Sequence, residues 1–124
     1  MDYVKRFSDL ESYKLSRKLS KEIFELTKRF PKEEMYSLTD QIRRSSRSVG
    51  AQIAEAWAKR KYEKHFISKL TDGDAEQQET QHWIETAHDC LYLSDEIKND
   101  LLKQYATLGK MIGSMINKAE LFCK

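Results

Sequence analysis

Four stretches of this chain repeat apolar residues every three or four positions, and only one proline and four glycines interrupt its 124 residues. That spacing is the mark of a helix with one buried face. Leu15, Leu19, Ile23, Leu26 and Phe30 form the first stripe, and Pro31 predicts its end near Phe30, because proline cannot continue the hydrogen-bond ladder. Ser8 and Glu11 read as a capping box ahead of it. The second stripe is Leu38, Ile42, Ser45, Val49, Ile53 and Trp57, with Ser46, Ser48, Gly50, Ala51 and Ala54 small enough for a neighbouring helix to approach closely. A third segment, roughly 62–93, opens on Phe66, Ile67 and Leu70 and closes on Ile84, Ala87 and Leu91, leaving polar Gln77, Thr80 and Gln81 at inward positions. Leu101, Leu102, Tyr105, Leu108, Ile112, Met115, Ile116 and Ala119 make the fourth, with Ser94 as its cap before Asp95 and Glu96.

No segment alternates with period two, so the expected fold is all-α: a single domain, 1–124, built as an antiparallel up-down four-helix bundle. A chain of this length can bury a core without disulfides or metal. Its 40% apolar and 34% charged composition excludes a disordered tail and a membrane protein. No apolar run suits a signal peptide or a membrane span, and Cys90 and Cys123 have no zinc or redox spacing, so free thiols in a cytoplasmic protein are expected. Tyr13, Phe24 and Phe122 fall off the main stripes and Tyr105 adds bulk to the fourth, a surplus of apolar surface that usually marks subunit contacts.

Charge is segregated along the chain although the total is only +2. Residues 43–64 hold Arg43, Arg44, Arg47, Lys59, Arg60, Lys61 and Lys64 against Glu55 and Glu63, whereas residues 72–100 hold nine acids against Lys98 alone, a net −8. Arg43, Arg47, Lys59, Arg60, Lys61 and Lys64 are the candidate nucleic-acid contacts; a solvated charged face is the alternative. Arg44 and Glu55, close to three turns apart, share a face with Ser48 and Gln52 beside the apolar stripe. We read Arg44, Gln52, Glu55, Glu79 and Gln81 as an internal polar network that sets helix register, the other reading being a phosphate-binding row.

No catalytic constellation is apparent: there is no nucleophile elbow and no glycine-rich phosphate loop. Two Glu-x-x-His pairs, Glu79/His82 and Glu85/His88, match one element of the ferritin-like di-metal site. They lie six residues apart on one helix and point about 120° from each other, so no metal and no cofactor is expected. Met111 and Met115 are core or subunit-contact residues.

The segment QIRRSSRSVGAQIAEAWAKRKY (41–62) with HFISKLTDGDAEQQETQHW (65–83) resembles the bacterial four-helix-bundle proteins encoded in intervening sequences of large-subunit ribosomal RNA genes, which often carry a "ribosomal protein" label. The Phe7–Leu10 opening, the Phe30-Pro31-Lys32-Glu33-Glu34-Met35-Tyr36-Ser37-Leu38 hinge and the closing helix fit the same family. This chain departs from it at Gln52, where most members have Asn, and at Ala56, where many have Gly. The resemblance implies a homopentamer without enzyme activity, related in structure to the retroelement accessory variability determinant, a basic pentamer that binds a reverse transcriptase and nucleic acid. The expected function is therefore RNA binding by a basic helix over 43–64 of a homo-oligomer, directly or beside an RNA-handling protein. The alternative is a protein-interaction scaffold in which the acidic 72–100 segment of one subunit meets the basic segment of its neighbour.

Overall fold

In the computed structural model, which describes residues 4–123, four long helices and one short helix pack around a single apolar core, with no strand among those residues. They are α1 (Glu11–Thr27), α2 (Asp40–Ala58), α3 (Glu63–Asp89), α4 (Asp95–Asn117) and α5 (Ala119–Phe122). Leu19, Ile23, Ile42, Val49, Ile53, Phe66, Leu70, Ile84, Leu101, Tyr105, Leu108 and Ile112 are almost wholly buried between them. The second and fourth stripes, and the third as far as Ala87, therefore face the core in the phase their spacing predicts, with polar Gln77 and Thr80 buried and Gln81 only partly so.

The first stripe is rotated. The most buried positions of α1 are Ser12, Ser16, Leu19, Ile23 and Thr27, with Leu15 and Leu26 at the margins. Small polar residues face inward because α2 comes close: a Cβ on Gly50 would stand 3.0 Å from Ser16 Oγ and 3.6 Å from the Tyr13 ring. Ser16 satisfies its hydroxyl on the Tyr13 carbonyl, 2.7 Å away on its own helix, and so needs no partner across the contact. The Ser8–Glu11 capping box does not form. Leu10 is extended and starts α1, while the Asp9 carboxylate accepts from the backbone N–H groups of Lys5 and Arg6 at 3.0 and 3.1 Å. Ser8 lies inside the 3-10 turn Phe7–Asp9 that this carboxylate caps, and so is not placed to cap α1. At the other end α1 stops at Thr27 rather than Phe30, because the residue before a proline avoids the helical region. Phe30 nonetheless turns into the core.

A short 3-10 turn, Lys32–Glu34, and one π turn, Met35–Thr39, lead into α2. The α2 helix ends at Ala58, so residues 43–64 are not one helix: Lys59 to Tyr62 form a turn and Lys64 rides on α3. Contacts between successive helices run in opposite residue order. Arg44 reaches Glu76 and Glu79, Gln52 lies against Gly73, and Glu55 meets Lys69. In the same sense Glu85 pairs with Lys98 and His88 with Asp95, while Ser12 meets Met115 and Lys18 meets Gln104. Ser94 caps α4 as expected, its hydroxyl accepting from Ile97 N at 3.2 Å. The fourth stripe breaks at Lys118, and Ala119 starts α5.

Two expectations about surplus apolar surface change. Tyr105 and Phe122 are core residues, and Phe24 is covered by cations. The large apolar side chains that do face solvent are Met35, Tyr36, Tyr62, Leu91, Ile97 and Leu121. Leu91 closes no helical stripe. It follows α3 with φ of 65°, and its neighbour Tyr92 N bonds back to Ala87 O at 2.9 Å, the wrapped ending usually given to glycine. A leucine held there costs about 1–2 kcal/mol of backbone strain.

The glycines of α4 separate propensity from packing. A Cβ on Gly113 meets nothing within 4 Å, so Gly113→Ala should raise stability by about 0.5–1 kcal/mol through helix propensity alone. A Cβ on Gly109 would stand 2.8 Å from Gln77 Nε2, which is held on Asp74 Oδ1 at 2.9 Å. Chemical denaturation should therefore show a smaller gain, or a loss, for Gly109→Ala; equal gains would mean Gln77 is free to move.

Candidate nucleic-acid interface

The polar residues of the α2–α3 seam come together, but not in the pairs their spacing suggested. Arg44 does not use Glu55 on its own helix. Its guanidinium reaches across to Glu76 (Nη1 to Oε2, 3.2 Å) and to Glu79, and Ser48 Oγ donates to the same Glu76 Oε2 at 2.8 Å. Trp83 Nε1 donates to Glu79 Oε2 at 3.0 Å. Together with the nearby Arg44, that indole holds the Glu79 carboxyl below the ordinary carboxylate range. Beneath this surface layer Thr80 Oγ1 donates to Ser45 Oγ at 2.8 Å in the buried seam. Glu55 pairs instead with Lys69 at 3.6 Å, and Gln81 Nε2 donates to Gln77 Oε1 at 2.7 Å. Gln52 packs its Cβ against Gly73 and leaves Oε1 without a protein partner. Arg44 is 47% exposed, so the network seals the edge of the seam rather than its interior.

The basic candidates fall into two groups at different ends of α2, whose 19 residues span about 28 Å. Lys59, Arg60, Lys61 and Lys64 surround the α2–α3 turn. Arg60 lies on the Trp57 ring, 3.9 Å from its centroid, and donates to the Trp57 carbonyl at 2.8 Å, which fixes it to the surface. Lys61 stands 5.6 Å from the centre of the Tyr62 ring.

Arg43 and Arg47 belong to a second patch whose other half comes from α1. Both stack on Phe24, at 4.7 and 5.5 Å, with Lys28 at 5.0 Å from the same ring. Arg43 is pinned further by Nε donating to Thr27 Oγ1 at 2.7 Å. Beside them runs an open groove lined by Arg17, Lys18, Ser20, Lys21, Phe24 and Arg47, with no carboxylate in its wall. Arg17 is steadied by Tyr13, whose hydroxyl accepts from Nη1 at 2.8 Å. Arg17, Lys18 and Lys21 escape a reading that follows charge along the chain segment by segment. The signal that finds them is spacing: Arg17, Lys21, Phe24 and Lys28 recur at intervals of four, three and four, one face of a helix.

The Glu-x-x-His pairs diverge. Glu79 is engaged by Arg44 and Trp83, His82 packs edge-on against Trp83, Glu85 pairs with Lys98 and His88 lies 2.5 Å from Asp95. Among the described residues no three His, Cys, Asp or Glu side chains converge on one point. No helix among them is long and apolar enough to cross a membrane.

An all-α helical bundle with a carboxylate-free basic groove is the class of protein this arrangement defines. The chain belongs to the 23S rRNA-intervening sequence protein family, whose profile matches residues 8–114. It is similar to a crystal structure, at 1.70 Å resolution, of a protein of unknown function from the S23 ribosomal protein family of Bacteroides thetaiotaomicron VPI-5482. The two share 27% identity with a TM-score of 0.79, over 86% of this chain and 96% of that one. No curated protein matches this chain.

Half-exposed Arg44 carries a smaller load than a buried ion would. Arg44→Ala should cost about 1 kcal/mol, against the roughly 3–5 of a stranded buried charge, and Lys61→Ala well under that. Because folding lowers the Glu79 pKa from 4.5, its stabilising contribution is complete above that value and fades as pH falls through the folded one. Denaturation midpoints measured from pH 6 down to pH 3 should accordingly fall less steeply in Glu79→Gln than in the wild type.

Proposed function

We propose that the chain is an antiparallel up-down four-helix bundle that works without catalysis, as a cytoplasmic homopentamer binding RNA through its phosphates. The opposed residue order of every helix contact supports the topology. The family's tie to intervening sequences in ribosomal RNA supports RNA as the ligand. One observation carries the binding site: the groove between α1 and α2 gathers Arg17, Lys18, Lys21 and Arg47 with no acidic residue in its wall, next to Arg43. Phosphate is the group this surface suits. The Phe24 ring that would stack on a base is already occupied by Arg43, Arg47 and Lys28, so backbone charge supplies the affinity and base identity contributes little. Repetition of a weak patch around an oligomer would add avidity.

Light scattering on the purified protein should give a mass near five times 14.7 kDa; a monomer at micromolar concentration would refute the assembly. Arg17→Glu, Lys21→Glu and Arg47→Glu combined should leave that mass unchanged and weaken binding to structured RNA. For every phosphate no longer neutralised, the slope of log affinity against log salt should become shallower by about one unit. Unchanged affinity and slope would remove the groove as the site. If the wild type binds no RNA at low salt, the protein-interaction scaffold is the better reading.

A further inference from the structure

The two basic clusters along α2 treat their aromatic rings differently. In the groove Phe24 is covered by Arg43, Arg47 and Lys28. At the α2–α3 turn Tyr62 is 57% exposed, and among the described residues Lys61 alone stands over its ring, 5.6 Å from the centre. A lysine ammonium is a compact charge on a flexible stem, so it can swing to an anion and uncover that face. His65 lies 5.4 Å from the same ring at an interplanar angle of 53°, too steep to lie flat on it.

The phenol is exposed, but the backbone that carries it is fixed. Tyr62 N donates to Lys59 O at 3.1 Å and closes the turn, while the Tyr62 carbonyl accepts from Phe66 N at 3.0 Å and opens α3. Phe66 is fully buried and stacks on Phe122, with ring centroids 5.7 Å apart. The turn is therefore anchored in the core, and a tyrosine on it has only two side-chain torsions to freeze when it meets a flat partner. The surrounding charge suits a chain of phosphates. Lys59, Lys61 and Lys64 are exposed and form no ion pair among the described residues. Arg60, held over the Trp57 ring at 3.9 Å, adds a fixed cation, and Glu63 is the one acid between residues 59 and 66. An exposed tyrosine alone is ordinary on a protein surface. An open ring on an anchored turn, set among four cations, is the combination by which proteins hold unpaired nucleic-acid strands.

We propose that the α2–α3 turn is a second RNA contact, which takes an unpaired strand by stacking one base on Tyr62 while Lys59, Lys61 and Lys64 hold the flanking phosphates. It rests on the reading above for its ligand, RNA, but not for its site. The groove engages the backbone of structured RNA through charge. The turn adds a contact to a splayed base, which a duplex cannot offer because its bases are stacked on one another. Every base has a flat face, so this site selects strandedness and not sequence.

The probes are a short oligouridylate, an abasic oligomer with the same number of phosphates, and an RNA duplex. Tyr62→Ala should weaken the oligouridylate about fivefold or more and leave the abasic oligomer and the duplex unchanged. Tyr62→Phe keeps the ring and should bind all three as the wild type does; both variants should melt at the wild-type temperature. Lys59→Glu with Lys61→Glu and Lys64→Glu should weaken the oligouridylate and the abasic oligomer together, with a shallower salt dependence for each. The groove variant Arg17→Glu, Lys21→Glu and Arg47→Glu should lose duplex binding and still distinguish the oligouridylate from the abasic oligomer. A Tyr62→Ala chain that binds the oligouridylate as tightly as the wild type overturns the proposal. So does a wild type that binds the oligouridylate no better than the abasic oligomer, or a groove variant that no longer distinguishes them. A wild type that binds the duplex but no oligouridylate removes the turn and leaves the groove standing. Duplex binding that survives the groove variant, with the Tyr62→Ala loss intact, removes the groove and supports the turn.

Discussion

The close approach of α2 to α3 sets the frame for everything else in this bundle. It is possible because the facing positions are small: Ser45 meets Thr80 through a 2.8 Å hydrogen bond, and Gly73 lies under Gln52 and the Val49 carbonyl. Two hydroxyls that satisfy each other can be buried without the penalty of an unpaired polar group. Once those helices are seated, the long arms at the edge of the seam have only one register in which to meet. Arg44 then finds Glu76 and Glu79, and Ser48 finds Glu76. On its opposite flank α2 presents Gly50 to Ser16, which brings α1 in and lays Phe24 beneath Arg43 and Arg47. The basic groove is thus a product of helix packing that begins on the far side of α2.

Much of the fold is legible in the order of residues. A period of 3.6 needs no tertiary information, so the inward faces of α2, α3 and α4, and even the buried polar Gln77 and Thr80, follow from phase. Ser94 could be read as a cap because a cap is local. The misreadings occur where a local signal competes with a neighbour. Ser8 is taken into a 3-10 turn that Asp9 closes on Lys5 and Arg6, so α1 starts from Leu10 without a side-chain cap, and the α1 stripe turns to admit Gly50. Leu91 follows the helical period but lies just beyond the helix end, in a wrapped turn whose conformation its side chain does not reveal.

The candidate site is less legible for a different reason. Arg43, Arg47, Lys59, Arg60, Lys61 and Lys64 form one run in sequence but two clusters in space, because α2 ends at Ala58. Arg17, Lys18 and Lys21, remote in sequence, complete one of them. Which carboxylate takes Arg44 depends on the α2–α3 register, so Glu76 stays hidden in the sequence while Glu55 and Glu79 can be named from it. Charge tallied along a chain measures density; a groove needs the faces of two helices.

The cation sandwich at Phe24 has a further consequence. An unattached arginine samples many rotamers and loses about 2 kcal/mol worth of that freedom when an anion immobilises it. Arg43 is already held by an aromatic face and by the Thr27 hydroxyl. Its ordering is settled when the chain folds, so an arriving phosphate has little left to freeze. On the proposed reading, a surface prepared in this way would bind phosphate with a smaller entropic penalty than its exposed lysines suggest, and would favour anions whose spacing matches guanidinium groups that no longer wander.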